Sequence, residues 1–266
     1  MNVIHWYPGH MKKATNELLA ALKLVDVVIE LVDARAPKYT QNPFFKKMLK
    51  NKPHILVYMK TDLADLSKIK LEDNAIKVSI KDKQSISNLI HYIELINKPR
   101  KEKQLARGIK PSAPKAMIVG IPNVGKSSLI NALINKKITK VENKPGLTKN
   151  LRWINVNNKF YLLDTPGILP MNYDNSNYVL ALLGAVKIEL LPLIDLSEFA
   201  YHYIIKNYRN LYLKRFKQIK ETSNDSFKYI MESRGIKNDK SINHESARAL
   251  FLKEIRDGKL GKLYFD

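Results

Sequence analysis

Cysteine is absent from the sequence, which excludes disulfide bridges and thiolate metal sites. Long apolar segments are absent as well. Nowhere do 18 uncharged apolar residues run together, and residues 1–11 lack the apolar stretch of a secretory signal. The sequence therefore predicts neither a membrane span nor secretion, and we expect a cytoplasmic protein that does not bind membranes.

Acidic residues are scarce relative to basic ones. The 266 residues include 46 Lys and Arg against 25 Asp and Glu, a formal net charge of +21. Such an excess attracts polyanions and favours a nucleic-acid partner, although a lysine-rich surface that serves solubility is the alternative. Residues 1–170 carry 30 basic and 13 acidic side chains, against 16 and 12 in the remainder. Most of the excess therefore lies in the first part of the chain.

Apolar periodicity predicts an α/β domain in the first two thirds of the chain. The predicted strands cover residues 25–32, 54–58, 77–80, 115–119 and 159–163, and the predicted helices cover residues 11–24, 44–49, 85–96 and 126–134. Because strands alternate with helices, we expect a mostly parallel sheet with helices on both faces. Residues 98–115 contain seven basic residues, one acid and three prolines, which predicts an exposed connector.

Helical patterns replace strand patterns after about residue 173. One predicted stripe contains Leu180, Leu183, Ala185, Ile188 and Leu191, and another contains Ala247, Leu250, Phe251 and Ile255 and ends at Gly258. The sequence thus predicts two domains, an α/β domain over residues 1–172 and a small all-helical domain over residues 173–266.

The stretch Gly120-Ile-Pro-Asn-Val-Gly-Lys-Ser lies between a predicted strand and a predicted helix and matches the phosphate-loop pattern G-x-x-x-x-G-K-[ST]. Its glycines let backbone N–H groups surround a β-phosphate, Lys126 can reach the β and γ oxygens, and Ser127 can ligate Mg²⁺. A glycine-rich turn at a helix start is the alternative. The full match in this context favours a nucleotide site.

Two further segments are predicted to face the γ-phosphate and the metal. Asp164-Thr-Pro-Gly follows an apolar run, so the Asp164 carboxylate should stand at a strand tip and hold Mg²⁺, while the Gly167 N–H can sense the γ-phosphate. Thr148, in the polar segment Lys144-Pro-Gly-Leu-Thr-Lys-Asn, is the predicted switch residue that completes the Mg²⁺ shell. An ordinary connecting loop is the alternative for Thr148.

The residues that read the base are predicted upstream of the phosphate loop. Guanine-binding P-loop proteins use an Asn-Lys-x-Asp loop, and the 99 residues after Gly167 contain none. Met59-Lys-Thr-Asp, at the end of the strand 54–58, has the position and shape of that loop, and the Asp62 carboxylate can accept both guanine donors. Val78-Ser-Ile matches the loop that backs the base. The motif order is therefore a circular permutation of the usual phosphate-first order.

This arrangement resembles the circularly permuted ribosome-assembly GTPases, and closely the ribosome biogenesis GTPase A group. The resemblance lies in Trp6-Tyr-Pro-Gly-His-Met, Asp33-Ala-Arg-Ala-Pro, the phosphate loop through Ser128, Pro145-Gly-Leu-Thr, Asp164-Thr-Pro-Gly-Ile, Arg248-Ala-Leu-Phe-Leu and Arg256-Asp-Gly-Lys-Leu-Gly. It implies a GTPase that binds rRNA on the large ribosomal subunit precursor and couples its nucleotide state to late maturation. We expect a monomer.

The predicted site follows from these motifs together with the resemblance. The nucleotide contacts are Lys60, Thr61, Asp62, Ser79, Ile80, Asn123, Val124, Gly125, Lys126, Ser127, Ser128 and Gly167; the Mg²⁺ ligands are Ser127, Thr148 and Asp164; and the catalytic residues are His10, Asn123, Lys126, Thr148 and Gly167. Met59 departs from the family, which has Asn there. Because Met cannot bond the base or tie the base loop to the phosphate loop, we expect guanine affinity to fall by about 1 to 3 kcal/mol.

Hydrolysis is predicted to be slow without a partner. Ile168 stands where a self-sufficient GTPase often carries the Gln that orients water, so we expect the ribosomal subunit to complete the site. The resemblance implies that Asn123 ligates a K⁺ ion and that His10 positions the attacking water. A structural role for His10 in the Pro-Gly turn is the alternative.

The helical region contains candidates for RNA contact. Residues 206–220 hold six basic residues and no acid, interleaved with Tyr208, Tyr212 and Phe216 and preceded by Tyr203, a mixture that suits RNA. An amphipathic helix with its rings in the core is the alternative. By resemblance this is a helical RNA-binding domain, and Arg248, Arg256, Lys259 and Lys262 are the candidate phosphate contacts.

Two other functions remain open at this point. One is a nucleotide-regulated RNA-binding assembly factor with little intrinsic hydrolysis. The other is a P-loop kinase or ATPase, which would need an adenine or acceptor site and would leave Asp62 unexplained.

Overall fold

The computed structural model describes residue 16 and residues 18–43, 45, 49, 52–134, 152–165, 176–234 and 242–266. Its sheet has six strands, β1 (Val27–Asp33), β2 (His54–Met59), β3 (Ala75–Lys77), β4 (Lys115–Gly120), β5 (Arg152–Val156) and β6 (Phe160–Asp164). Their order is β3-β2-β1-β4-β6-β5. All neighbouring pairs are parallel except β5 with β6. The predicted α/β fold with a mostly parallel sheet is confirmed.

Strand β1 lies at the centre because it can be buried on both faces. All seven of its residues are buried, and most are β-branched or leucine. It pairs with β2 through Asp33 opposite Met59 and with β4 through Leu31 opposite Gly120. The carboxyl ends of these three parallel strands therefore meet at one edge of the sheet, where ligands bind in open α/β sheets.

The helices of the first unit are α1 (Pro37–Thr40), α2 (Lys83–Ile96), α3 (Lys98–Ala106) and α4 (Lys126–Ile134). Asp82 caps the N-terminus of α2, and its carboxylate accepts a hydrogen bond from the Gln84 N–H at 2.9 Å. It buries a stripe of Ile86, Leu89 and Ile93. Helix α4 follows the phosphate loop and likewise buries three apolar side chains.

Three predictions for this unit were wrong in detail. Strand β5 was missed, because Arg152–Val156 is too short and mixed to give a clear alternation. The third strand is Ala75–Lys77 rather than residues 77–80, which instead leave the sheet edge and lead to the α2 cap. The predicted connector 98–115 contains helix α3, which begins at the α2 cap residue Asn97 with Pro99 in its first turn.

The second unit is helical, as predicted. Its helices are α5 (Ser176–Leu182), α6 (Leu193–Phe216), α7 (Ser223–Ser233) and α8 (Ile242–Arg256). The predicted stripe from Leu180 to Leu191 is not one helix, because Gly184 adopts a φ of +79° just after α5 ends. A short 3₁₀ turn, Ile188–Leu190, lies between α5 and α6. The stripe of α8 is confirmed, and Gly258 follows its last turn with a φ of +73°.

Aromatic rings form the core of this unit. Tyr201, Tyr212, Phe216, Phe227 and Phe251 are buried and pack at ring-centroid distances of 5.0 to 6.5 Å. Most of these pairs are tilted or edge-on, which is the arrangement that the ring quadrupoles favour. Large rings therefore contribute much of the contact between the helices α6, α7 and α8, beside buried aliphatic side chains such as Ile204, Ile230 and Leu252.

Packing divides the chain into two compact units. The first is Met1–Asp62, Leu66–Tyr173 and Asp266, and the second is Leu63–Asp65 and Asp174–Phe265. Residues 63–65 depart from the predicted boundary because they join the C-terminal segment: Ala64 and Leu263 form a parallel bridge, and the Asp65 N–H donates to the Leu263 carbonyl at 3.0 Å. In the part of the chain that the structure describes, no helix has the length and apolarity that a membrane span requires.

Candidate nucleotide site

The phosphate loop connects β4 to α4 and uses two glycines where no other residue fits. A side chain at Gly120 would place its Cβ 2.9 Å from the Leu31 carbonyl oxygen, and Gly125 has a φ of +114°. Val124 is buried beneath the loop, whereas Ser127 and Ser128, in the first turn of α4, are exposed. The loop is thus tightly packed on its inner side and leads into an exposed helix N-terminus, as an anion site requires.

Lys126 lies folded across its own loop. Its Nζ donates to the Gly120 carbonyl at 3.1 Å and to the Ile121 carbonyl at 3.3 Å. The side chain is partly buried, so the ammonium is held at the loop rather than in solvent. Phosphate oxygens are stronger partners for an ammonium than neutral carbonyls.

The base loop lies against the phosphate loop. Lys60, directly after β2, extends its Nζ to the backbone carbonyl of Asn123 at 2.9 Å. The same Nζ lies 2.9 Å from Oδ2 of Asp33, at the end of β1. Strand β1 separates β2 from β4 in the sheet, so Asp33 stands between the two loops that the sequence places 63 positions apart. The predicted Lys60–Asp62 turn therefore shares one edge with the predicted phosphate cradle.

Asp62 is held ready to accept hydrogen bonds. Its Oδ1 accepts from the Ser79 hydroxyl at 3.0 Å, and its Oδ2 lies 2.7 Å from the Lys81 ammonium. Partial burial alone would raise the pKa of Asp62, but Lys81 and Ser79 together hold that pKa below its usual value. Asp62 is therefore ionised at neutral pH, which is the state that can accept both guanine donors.

The second base loop is fixed by a pair of serines. Ser79 is buried; its N–H donates to the Ser85 hydroxyl at 3.1 Å, and that hydroxyl donates to the Ser79 carbonyl at 2.9 Å. Ile80, by contrast, is 48% exposed. Thr61 follows Lys60, and its N–H approaches the Val78 carbonyl at 3.5 Å. Of these predicted nucleotide contacts, Ser79 and Thr61 are hydrogen-bonded to other residues of the base loops. The Ile80 side chain is exposed to solvent.

Met59 corrects one expectation. The side chain was expected to leave the base and phosphate loops untied, yet it is only 1% exposed. Its methyl carbon lies 3.2 Å from the position that a Cβ on Gly125 would occupy. Met59 thus packs against the phosphate loop by van der Waals contact where the family has a hydrogen-bonding Asn. It cannot replace the hydrogen bond to the base.

Asp33 and Arg35 are both buried at the centre of this edge, and the sequence alone indicated no role for either. Asp33 Oδ1 accepts from the Arg35 N–H at 3.1 Å and from Arg35 Nε at 3.0 Å, and Oδ2 accepts from Nη2 at 2.9 Å. Burial alone would raise the pKa of Asp33, but the Arg35 and Lys60 cations keep that pKa lowered. The Asp33-Ala-Arg spacing, which was noted only as part of the resemblance, was the available signal.

The metal side of the site is described in part. Asp164 ends β6 beside Ile118 of β4, and the Thr165 hydroxyl donates to the Ile118 carbonyl at 2.5 Å. This bond ties the end of β6 to the strand that leads into the phosphate loop. A Ser127 hydroxyl is a hard oxygen ligand of the kind that Mg²⁺ requires, whereas the side chain of Asp164 lies outside the described part of the structure. His10, Thr148, Gly167 and Ile168 lie outside the described residues.

The candidate RNA residues of the second unit need correction. Tyr208, Tyr212 and Phe216 are buried, so these rings cannot stack on RNA bases. The same burial raises the pKa of Tyr208 to about 12. The amphipathic alternative is the correct one for them, because the 3.6-residue period turns the rings inward and leaves most of the interleaved lysines exposed. Tyr203 is partly buried and donates to the Tyr264 carbonyl at 2.6 Å.

Arg248 is not an accessible phosphate contact either. Its side chain donates to the Ser197 hydroxyl, to Glu198 at 2.8 Å and to Asn224, and its guanidinium lies 4.4 Å from the Phe227 ring centroid. Only 4% of the residue is exposed. Lys259 and Lys262 are exposed, and Arg256 is partly exposed beside Asp257. Burial therefore separates Arg248 from the other three candidates.

Comparison with known proteins adds the family context. A family model described as 50S ribosome-binding GTPase matches residues 115–242. The Ribosome biogenesis GTPase A of Bacillus cereus is 38% identical over 99% of this chain and 94% of its own, and the Probable ribosome biogenesis GTPase A of Mycoplasma pneumoniae is 35% identical over 99% and 96%. GNP-bound YlqF from T. maritima is similar in fold, with a TM-score of 0.67 at 24% identity over 96% of this chain and 97% of that one.

Proposed function

The chain belongs to the ribosome biogenesis GTPase A family, and from that premise we propose that it is a GTP-hydrolysing assembly factor of the large ribosomal subunit. Guanine-nucleotide binding and hydrolysis come with the family. The 50S ribosome named by the matching family model supports the large subunit as the partner. The observation that carries the site assignment is the 2.9 Å contact between Lys60 Nζ and the Asn123 carbonyl, which joins the base loop to the phosphate loop.

The nucleotide would bind along the edge formed by β2, β1 and β4. Asp62 accepts the two guanine donors, with Ser79 and Lys81 holding its carboxylate in place. At the other end, the phosphate-loop backbone surrounds the β-phosphate and Lys126 exchanges its loop carbonyls for β and γ oxygens. An ATPase would have no use for an ionised carboxylate at the base position, so Asp62 favours guanine over adenine.

Mg²⁺ fits the donor set of the site, which supplies hydroxyl and carboxylate oxygens. Ser127, Thr148 and Asp164 would hold it, and when bound it neutralises charge on the transferred phosphoryl group. Among the residues of the chain, Gly167 would sense the γ-phosphate, Asn123 would hold a K⁺ ion and His10 would orient the attacking water. Because Ile168 cannot orient water, we propose that the free protein turns over slowly and that the ribosomal subunit completes the site.

Helix α3 and the segment after it are the RNA surface that the first unit offers best. No residue of α3 is buried, which leaves this helix without the apolar face that ordinarily holds a helix to its domain. Lys103 on the helix and Arg107 and Lys110 in the segment after it are exposed, and residues 98–115 carry seven basic residues against one acid. This exposed charge suits the rRNA backbone, and it lies in the part of the chain that holds most of the net charge.

A phosphate-release assay with and without purified large subunits tests the proposed function. We expect slow GTP hydrolysis by the protein alone and a marked rise when large subunits are added. Small subunits serve as the matched control and should have no such effect. Absence of hydrolysis under all conditions, with GTP-dependent subunit binding retained, would favour the alternative of a nucleotide-regulated binding factor instead.

Two matched triple variants test the RNA surface. K103Q/R107Q/K110Q removes three positive charges from the α3 region, and K68Q/K70Q/K83Q removes three from exposed positions elsewhere in the first unit. Binding to large subunits should weaken roughly tenfold or more at physiological salt in the first variant, with a shallower salt dependence. Equal losses in both variants would reduce the α3 effect to net charge alone.

A further inference from the structure

Asp33 is a buried carboxylate at the end of β1 that contacts Lys60 of the base loop and belongs to neither nucleotide-binding loop. Only 1% of its surface is exposed, and its Oδ2 receives hydrogen bonds from Arg35 Nη2 and Lys60 Nζ, each at 2.9 Å. Arg35 is itself buried and pairs with both carboxylate oxygens. Such an arrangement costs desolvation of three charges, and a well-packed apolar set is often as stable. Its retention therefore calls for a role in addition to stability.

Lys60 shows what that role is. A lysine side chain is flexible, and ordering it costs rotamer entropy. Here the ammonium has two fixed partners, the Asp33 carboxylate and the Asn123 carbonyl. The first partner belongs to β1 and the second to the phosphate loop. Because the Asp33 carboxylate is buried at the end of β1, its contact with the ammonium directs the lysine toward the phosphate loop before any nucleotide binds.

The substitution at position 59 gives this contact added weight. Met59 packs against Gly125 but offers no hydrogen bond between the two loops. The chain from Asp33 through Lys60 to Asn123 supplies a polar link between base loop and phosphate loop that does not depend on position 59. We propose that Asp33 is a positioning residue of the nucleotide site, which fixes Lys60 so that the base loop and the phosphate loop bind the nucleotide as one preformed unit.

This inference rests on the proposed site and predicts more than a loss of stability. In Asp33→Asn the amide cannot hold the ammonium as a carboxylate does, so GDP affinity should fall roughly tenfold to a hundredfold, the range for loss of a charge-assisted hydrogen bond. Lys60→Met should give a similar loss. The double variant should lose little more than either single variant, because both break the same link.

Arg35→Met is the matched control. It removes the other cation from the same carboxylate but leaves the Asp33–Lys60 contact in place. Its thermal unfolding midpoint should fall at least as far as that of Asp33→Asn, while its GDP affinity stays within about threefold of wild type. A purely structural role for Asp33 predicts instead that the two variants lose GDP affinity in proportion to stability.

The experiment is calorimetric titration of the full chain and these four variants with GDP and ADP, together with thermal unfolding of each nucleotide-free protein. Wild-type preference for GDP over ADP tests the base site itself, independently of Asp33. Given that preference, unchanged GDP affinity in Asp33→Asn, equal affinity loss in Arg35→Met, or additive losses in the double variant would each overturn the proposal. Lys60→Met keeps the test valid should Asp33→Asn fail to fold.

Discussion

Each unit of the molecule buries an arginine, and the two arginines do different things. Arg35 pairs with Asp33, whose second partner Lys60 extends into a loop of the nucleotide site. Arg248 pairs with Ser197, Glu198 and Asn224, which belong to the helices α6 and α7. The first network ends at an exposed edge of a sheet, and the second connects helices. In this molecule, the buried arginine whose hydrogen-bond network reaches the exposed edge of the sheet is connected to the nucleotide site. The arginine whose network stays among buried helices stabilises their packing.

The largest effect should come from Arg248→Met. This change leaves Glu198 without its guanidinium partner and removes the cation from the Phe227 ring, so the free energy of unfolding should fall by about 3 kcal/mol. GDP affinity should not change. Urea unfolding and GDP titration of the same preparation measure both. A loss of GDP affinity with stability unchanged would reverse the roles assigned to the two arginines.

Asp62→Asn, in the base loop of the first unit, should have the next largest effect. The amide presents a donor where guanine needs acceptors, so GTP affinity should fall roughly 100-fold, or about 2.7 kcal/mol. Xanthosine triphosphate, which has an acceptor in place of one donor, should bind the variant better than GTP does. Competitive titration with the two nucleotides measures this, and retained GTP preference would place the base elsewhere.

Met59→Asn should raise guanine affinity by about tenfold, because it supplies the hydrogen bond to the base that the family has. The gain is limited by lost packing of the Met59 methyl against Gly125. GTP and ATP titrations of wild type and variant measure the difference. Equal GTP and ATP affinities in both proteins would remove the guanine assignment.

The smallest effect is expected for Lys259→Gln with Lys262→Gln. Both lysines are exposed, but they lie in the unit with little net charge excess, so subunit binding should weaken by no more than about threefold. The α3 triple variant serves as the comparison. A larger loss in this pair than in α3 would move the principal RNA surface to the second unit.

The sequence predicted the parts of the molecule that follow from local pattern. The central strands were identified because Val27–Asp33 and His54–Met59 are buried along their length, and helix Lys126–Ile134 was predicted with its observed bounds. The phosphate and base loops were located by spacing, and motif order predicted that they share an edge. Strand β5 and helix α3 were missed because each is set by its neighbours, β6 in one case and the α2 cap in the other.

The sequence pattern could not show which side chains contact one another across the fold. Arg248 looks like any basic residue in a helix, and only the positions of Ser197 and Asn224, 51 and 24 residues away, show that it is buried. The role of Asp33 was likewise not visible from the sequence, because its contact with Lys60 joins the ends of two different strands. The mixed composition of residues 206–220 did not show which face of the helix the rings occupy. The sequence therefore left open whether they contact RNA or pack in the core.

Lys60 and Asn123 share one further property, a left-handed backbone, with φ of 58° and 57°. Asparagine tolerates that conformation, whereas in a lysine it costs on the order of 1 kcal/mol. Selection for heat resistance alone should consequently replace Lys60 by glycine or asparagine, and selection for ligand retention should keep it. A design that raises thermal stability by replacing residues with a left-handed backbone would therefore remove the Lys60 ammonium, which joins the base loop to the phosphate loop.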